Sequence, residues 1–246
     1  MSNLLYYGIS NGVGVAFCLV FCIVCISKFK NADYNKKLLP LKFLYILLIC
    51  LEVVKIFYHI CYAKNYPAQR YPIVFCSLVM YTYPIICYTK SNSIACRVCK
   101  ALSVIPCIVI GSLYLFVGFG NATGASDYSF IMNLHSRFYH FCMLAGAIYI
   151  IAVKLYDFNF KDFYFSGLAV SAYFVLCTVL SLFVGDNISY FGPTSAPVQI
   201  VYNNFGYAVG NLLLCILAWL ISFIVFMLIN LIKHLAKRKK SQLQNK

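Results

Sequence analysis

The chain has 246 residues, of which 63% are hydrophobic and only 11% charged, with a formal net charge of +14 and a mean hydropathy of +0.82. A soluble domain carries about 25% charged residues, so this composition excludes an ordinary water-soluble fold and points to a polytopic membrane protein. The positive excess is distributed over several connections, which speaks against a nucleic-acid-binding patch and for anionic lipid headgroups as its counterpart.

Seven apolar stretches are predicted as helices, each near or above the roughly 20 residues needed to cross about 30 Å of hydrocarbon. The first runs from Leu4 to Ser27. It lacks a charged leading region and a small-residue cleavage site, so it is expected to stay as a helix. The connection after it holds Lys28, Lys30, Lys36 and Lys37, with Lys42 at the start of the next stretch.

The second stretch, Leu41–Ala63, contains Glu52, Lys55 and His59. Their spacings of three and four residues place them on one helical face, where Glu52 and Lys55 can neutralise each other and His59 extends the stripe. An ion pair that locks helices together and a functional polar site both fit this pattern. The following gap holds Lys64 and Arg70.

The third stretch, Tyr71–Thr89, opens with Pro72 and Cys76 and contains Pro84; the fourth, Ile94–Gly118, contains Pro106. These prolines permit local breaks. Between the two lies Lys90, with Arg97 and Lys100 at the head of the fourth. Two C-x-x-C pairs, Cys22/Cys25 and Cys96/Cys99, are spaced as zinc ligands are. In a chain with thirteen cysteines, most of them within apolar stretches, the pairs read as small hydrophobes, and no metal or other cofactor is expected.

The fifth stretch, Ile131–Val153, carries Asn133, Ser136, Arg137 and His140 on one face, whereas His135 points toward Met132 and Cys142. A histidine aligned with an arginine and small polar groups is aimed at a wet or anionic cavity, which ranks His140 above His135. A structural histidine, satisfied by one donor and one acceptor, is the plainer reading for either. Lys154 and Lys161 follow. The sixth stretch is Phe163–Gly185 and the seventh Phe205–Ile232, with Lys233, Lys237, Arg238, Lys239, Lys240 and Lys246 in the tail.

The connections therefore alternate, and the lysine-rich ones are expected to be cytoplasmic, putting the N-terminus outside. Sequons at Asn121 and Asn187 fall in outward gaps. With no long linker and no internal repeat, the expectation is one all-helical bundle over residues 1–232 and a basic cytoplasmic tail over 233–246, in a multi-pass protein of the cell membrane.

The Pro-x-x-x-Cys entry to the third stretch, the histidine in the fifth, the Glu-x-x-Lys helix and the Asn/Gly/Pro-rich loop from Gly185 to Pro197 together resemble the YwaF-type bacterial family. That family is similar to the eukaryotic transmembrane protein 164 family. The resemblance implies a phospholipid acyltransferase or lipid hydrolase, with Cys76 as nucleophile and His140, or alternatively His135, as its partner. Arg137, Glu52, Lys55 and His59 would then contact substrate. The bacterial pattern has a histidine two residues before the cysteine, where this chain has Val74. The rival class is a small-solute transporter or its substrate-binding subunit, with the charges of the second and fifth stretches holding solute; a non-catalytic membrane protein is the default.

Overall fold

A computed structural model describes residues 3–62, 72, 75–116, 130–157, 159–184 and 196–244. Lys64, Arg70, Val74, both sequons and residues 185–195 of the long loop lie outside the described residues. Among the described residues the regular structure is entirely helical. The helices are α1 (Asn3–Phe29), α2 (Tyr34–Lys37), α3 (Leu39–Cys61), α4 (Leu78–Tyr88), α5 (Ile94–Phe116), α6 (Phe130–Ala152), α7 (Phe160–Val184) and α8 (Ala196–Gln244).

Among the described residues, four helical segments are long and apolar enough to cross a membrane: Gly8–Phe29, Tyr34–Cys61, Ile94–Ser112 and Cys215–Ile232. The third expected stretch is shorter than its hydropathy indicates. A 3-10 turn over Phe75–Ser77 leads into α4, an apolar helix of 11 residues. Helices α4 and α5 run through Pro84 and Pro106. The seventh stretch begins earlier and ends later than expected. Gly206, at φ 72° and ψ 172°, interrupts α8 in a conformation that a residue with a Cβ rarely adopts, and the helix continues to Gln244, through most of the basic tail.

Helix boundaries follow local chemistry. Ser93 Oγ accepts the Cys96 N–H at 3.2 Å at the start of α5, and Asn159 Oδ1 accepts the Lys161 N–H at 3.0 Å at the start of α7; each satisfies a donor that the first turn leaves open. At the end of α6 the Leu155 N–H returns to Ile150 O at 3.0 Å, with Lys154 in the left-handed region at φ 57°. That is the geometry by which a helix stops.

The centre of the bundle is α6, which packs against α1, α3 and α5 and is buried at every position from Tyr139 to Ala147. Small residues allow this. A Cβ added to Gly14 of α1 would stand 2.0 Å from the Phe141 ring, and one added to Gly146 of α6 would stand 2.0 Å from the Tyr83 hydroxyl. Where both surfaces are apolar, association relies on such close packing. A second seam joins α7 to α8, where Trp219 Nε1–H donates to Ser171 Oγ at 2.8 Å and the indole lies over Gly167.

Side-chain contacts fix which helix ends meet. Tyr149 of α6 donates to Lys37 O at 2.8 Å, Lys42 of α3 meets Tyr88 of α4, and Arg97 of α5 pairs with Asp162 of α7 at 2.7 Å. The first, third and fifth connections thus converge on one lysine-rich end of the bundle. At that end burial, and then the adjacent Asp162 carboxylate, push the Tyr156 phenol up, so it stays neutral and hydrogen-bonded to Asp162.

Gly146→Val is expected to destabilise the bundle by about 1–3 kcal/mol through overpacking against Tyr83, whereas Gly12→Ala, with nothing within 4 Å of the new Cβ, should leave it unchanged. Thermal unfolding of the detergent-solubilised variants checks the contrast. Equal melting temperatures would mean that α4 and α6 do not approach closely at this glycine.

Candidate functional site

Polar side chains of α3, the turn before α4, and α6 meet in the half of the bundle away from the lysine-rich end. Glu52 lies in the third turn of α3 counted back from its C-terminus, and its side chain is only 4% exposed. Its Oε1 accepts from Lys55 Nζ one turn on, and from Ser77 Oγ at 3.1 Å. The expected Glu52–Lys55 ion pair is present. Its second partner, Ser77, is 25 residues away in sequence and lay beyond spacing arguments.

Ser77 immediately follows Cys76 in the 3-10 turn that starts α4. Cys76 is partly buried and packs against the main core, and the amides of Cys76 and Ser77 are directed at its sulfur. Lys55 and Glu52 are its charged neighbours. Tyr139 of α6 faces the same group, with Cys76, Glu52, Ser77 and Cys107 around its phenol.

Both histidines of α6 are buried, at 8% exposure for His135 and 6% for His140. His135 Nε2 lies 2.7 Å from Leu51 O of α3. Because a carbonyl only accepts, this nitrogen carries the proton in the neutral ring, and the lone pair is on Nδ1. His140 Nδ1 lies 2.5 Å from Ser136 O on its own helix, which by the same reasoning makes Nε2 the basic nitrogen. Lys55 is an electrostatic neighbour of both histidines as well as of Cys76. One ammonium therefore ties the thiol and both imidazoles to a common neighbourhood.

The remaining expected residues sit around this centre. Arg137, 2% exposed, turns toward α1 and donates to Asn11 Oδ1, while remaining an electrostatic neighbour of His140. His59 is fully buried on α3, one turn beyond Lys55. Asn11 was not singled out in the sequence, since a lone asparagine in an apolar helix gives no signal until its partner is known. No group of three or more metal-binding side chains occurs among the described residues.

A model of the TMEM164 family matches residues 6–228, which takes in all of these side chains. The chain belongs to the TMEM164 family. No curated protein matches it, and no solved structure does. Membership and the apolar helices together make this a multi-pass membrane protein. In this TMEM164-family chain the matched region runs from α1 well into α8, so the site and the helices that frame it form one matched unit.

The buried pair makes a mutational contrast. Glu52→Ala leaves the Lys55 ammonium buried without its carboxylate, and should cost about 3–5 kcal/mol, whereas Glu52→Leu with Lys55→Met removes both charges and should recover most of that loss. Denaturant unfolding in detergent micelles reads the comparison. A double variant as unstable as the single one would show that the pair is not the buried unit described.

Proposed function

We propose that the protein is an intramembrane enzyme of the cell membrane that transfers or hydrolyses phospholipid acyl groups, with Cys76 as nucleophile and a histidine of α6 as general base. The observation that carries this reading is that Glu52 bonds both Lys55 and the Ser77 hydroxyl next to Cys76, while the adjacent Leu51 carbonyl meets His135. The amides directed at the sulfur add a second support. His140 is the preferred base, through Nε2, and His135 is the alternative, through Nδ1.

The step balances as follows. The imidazole takes the Cys76 S–H proton, and the thiolate attacks an ester carbonyl of a membrane phospholipid. The tetrahedral oxyanion lies within the field of the Lys55 ammonium and the nearby amides, which favour the charge that develops there. The ester C–O bond then breaks, the imidazolium returns its proton to the departing lysophospholipid oxygen, and Cys76 holds the acyl chain as a thioester. An acceptor hydroxyl, or water, completes the cycle by attacking the thioester as the same imidazole removes its proton. The cysteine thiolate leaves and is reprotonated.

Glu52 holds Lys55 and the Ser77 hydroxyl, so it fixes both the ammonium and the turn that bears the nucleophile. Arg137 and His59 extend the polar surface on either side, where Arg137 supplies a guanidinium suited to a lipid phosphate.

The protein in lipid nanodiscs, supplied with a phospholipid whose acyl chain carries an alkyne, should acquire a hydroxylamine-labile label. Cys76→Ser should abolish that label, and loss of the true base should slow its formation by about 100-fold or more. His140→Ala and His135→Ala, compared at equal folding, identify which histidine acts. Label that persists in Cys76→Ser, or is absent from the wild type, overturns the acyl-enzyme reading.

A further inference from the structure

The lysine-rich end of the bundle presents a second polar cluster, separate from the thiol centre. Lys100 of α5 is only 4% exposed, and its Nζ lies 5.2 Å from the centroid of the Tyr34 ring. Lys42 of α3 has its Nζ 4.9 Å from the centroid of the Tyr88 ring. The two cations belong to one cluster, because Cys96, one helical turn before Lys100, meets the Tyr34 hydroxyl and is also a neighbour of Cys87. Cys87 precedes Tyr88 and lies beside Lys42. Helices α2, α3, α4 and α5 each contribute.

The charge balance of this cluster is one-sided. Among the described residues, the ion pairs at this end engage Lys36 with Asp33 and Arg97 with Asp162, and neither Lys42 nor Lys100 takes part in one. A lysine almost never withdraws from solvent without an anionic partner, and a facing aromatic ring compensates the charge only in part. Two other cations of this molecule have a buried carboxylate as partner: Glu52 answers Lys55, and Asp162 answers Arg97.

We propose that Lys42 and Lys100 form a binding site for a phosphate group, held between the two ammonium ions with the Tyr34 and Tyr88 rings as walls. Two point charges on flexible stems suit a compact anion with several acceptor oxygens. The position, at the connection end of four helices, is the level at which lipid headgroup phosphates lie. A phosphate-bearing soluble compound shares the same chemistry.

The test uses the purified full-length protein in a neutral detergent. Its thermal unfolding is followed while phosphatidylglycerol, phosphatidylcholine or inorganic phosphate is titrated in separate arms. Phosphatidylglycerol should raise the melting temperature saturably, and Lys100→Gln or Lys42→Gln should each weaken the apparent affinity by about tenfold. Lys100→Arg should retain binding, and Lys36→Gln, an exposed position, should match the wild type.

A saturable response to inorganic phosphate with the same lysine dependence assigns the site to soluble phosphate compounds. A response confined to phosphatidylglycerol assigns it to an anionic lipid. Either upholds a phosphate site. Affinity unchanged in both Lys42→Gln and Lys100→Gln overturns it, as does an equal loss in Lys36→Gln, which would reveal only a diffuse surface charge. Should Lys100→Gln fail to fold, Lys42→Gln against Lys36→Gln decides.

Discussion

Every polar group carried into the apolar interior must find its partner there, and this requirement organises the molecule. An ionisable side chain at bilayer depth costs a few kcal/mol on insertion scales, and a backbone or side-chain polar atom without a partner costs about as much. The central helix α6 concentrates the problem, since His135, Arg137, Tyr139 and His140 lie within six residues and all are buried. Its neighbours answer two of them, and its own backbone a third: Asn11 of α1 meets Arg137, the Leu51 carbonyl of α3 meets His135, and the Ser136 carbonyl meets His140. The second half of α6 is the opposite in character. There Gly146 is small enough for Tyr83 of α4 to approach closely. Polar matching and close packing thus position the same helix at its two ends.

The thiol centre inherits its geometry from these structural contacts. Glu52 is one carboxylate serving two groups, Lys55 and the Ser77 hydroxyl, so the turn preceding α4 is fastened to α3 at the residue next to Cys76. Cys76 is placed by a neighbour's hydrogen bond, while its own backbone supplies amides near the sulfur. The histidine tautomers follow similarly, because a carbonyl that accepts from one ring nitrogen decides which nitrogen keeps the lone pair. Groups that stabilise the fold and groups that would arrange the proposed chemistry are here the same atoms. Their removal is felt in stability before it is felt in activity.

What the sequence reveals and what it hides have separate physical causes. Hydropathy and lysine placement are one-dimensional, so the helical class and the lysine-rich end were legible before any coordinates. The Glu52–Lys55 pair was legible too, because an i,i+3 spacing on a helix is local geometry. The Ser77–Glu52 and Arg137–Asn11 contacts join residues 25 and 126 positions apart, and no periodicity encodes them. The third stretch misled for a different reason. Hydropathy registers apolar length without regard to backbone state, and Tyr71–Thr89 reads as continuous, although a 3-10 turn over Phe75–Ser77 precedes the α-helix that starts at Leu78. Gly206 was likewise invisible as a break, since a glycine in an apolar helix signals either a close contact or a positive φ, and only the backbone distinguishes them.

The two ends of the bundle differ in how charge is settled, and that difference bears on what each can do. In the half that holds Cys76, the buried Lys55 has its carboxylate in place, so charge that develops on a reacting group enters a field already arranged. At the lysine-rich end, Arg97 is matched by Asp162, while Lys42 and Lys100 face aromatic rings and, among the described residues, pair with no carboxylate. A settled charge favours transient chemistry, because little reorganisation accompanies it; an unsettled one favours stable association with an anion, because binding supplies what the fold omits. Helices α3 to α5 belong to both ends, with Glu52 and Lys42 ten residues apart on α3. An anion seated at the lysine-rich end would thereby brace the same helices that carry the carboxylate and the turn bearing the thiol.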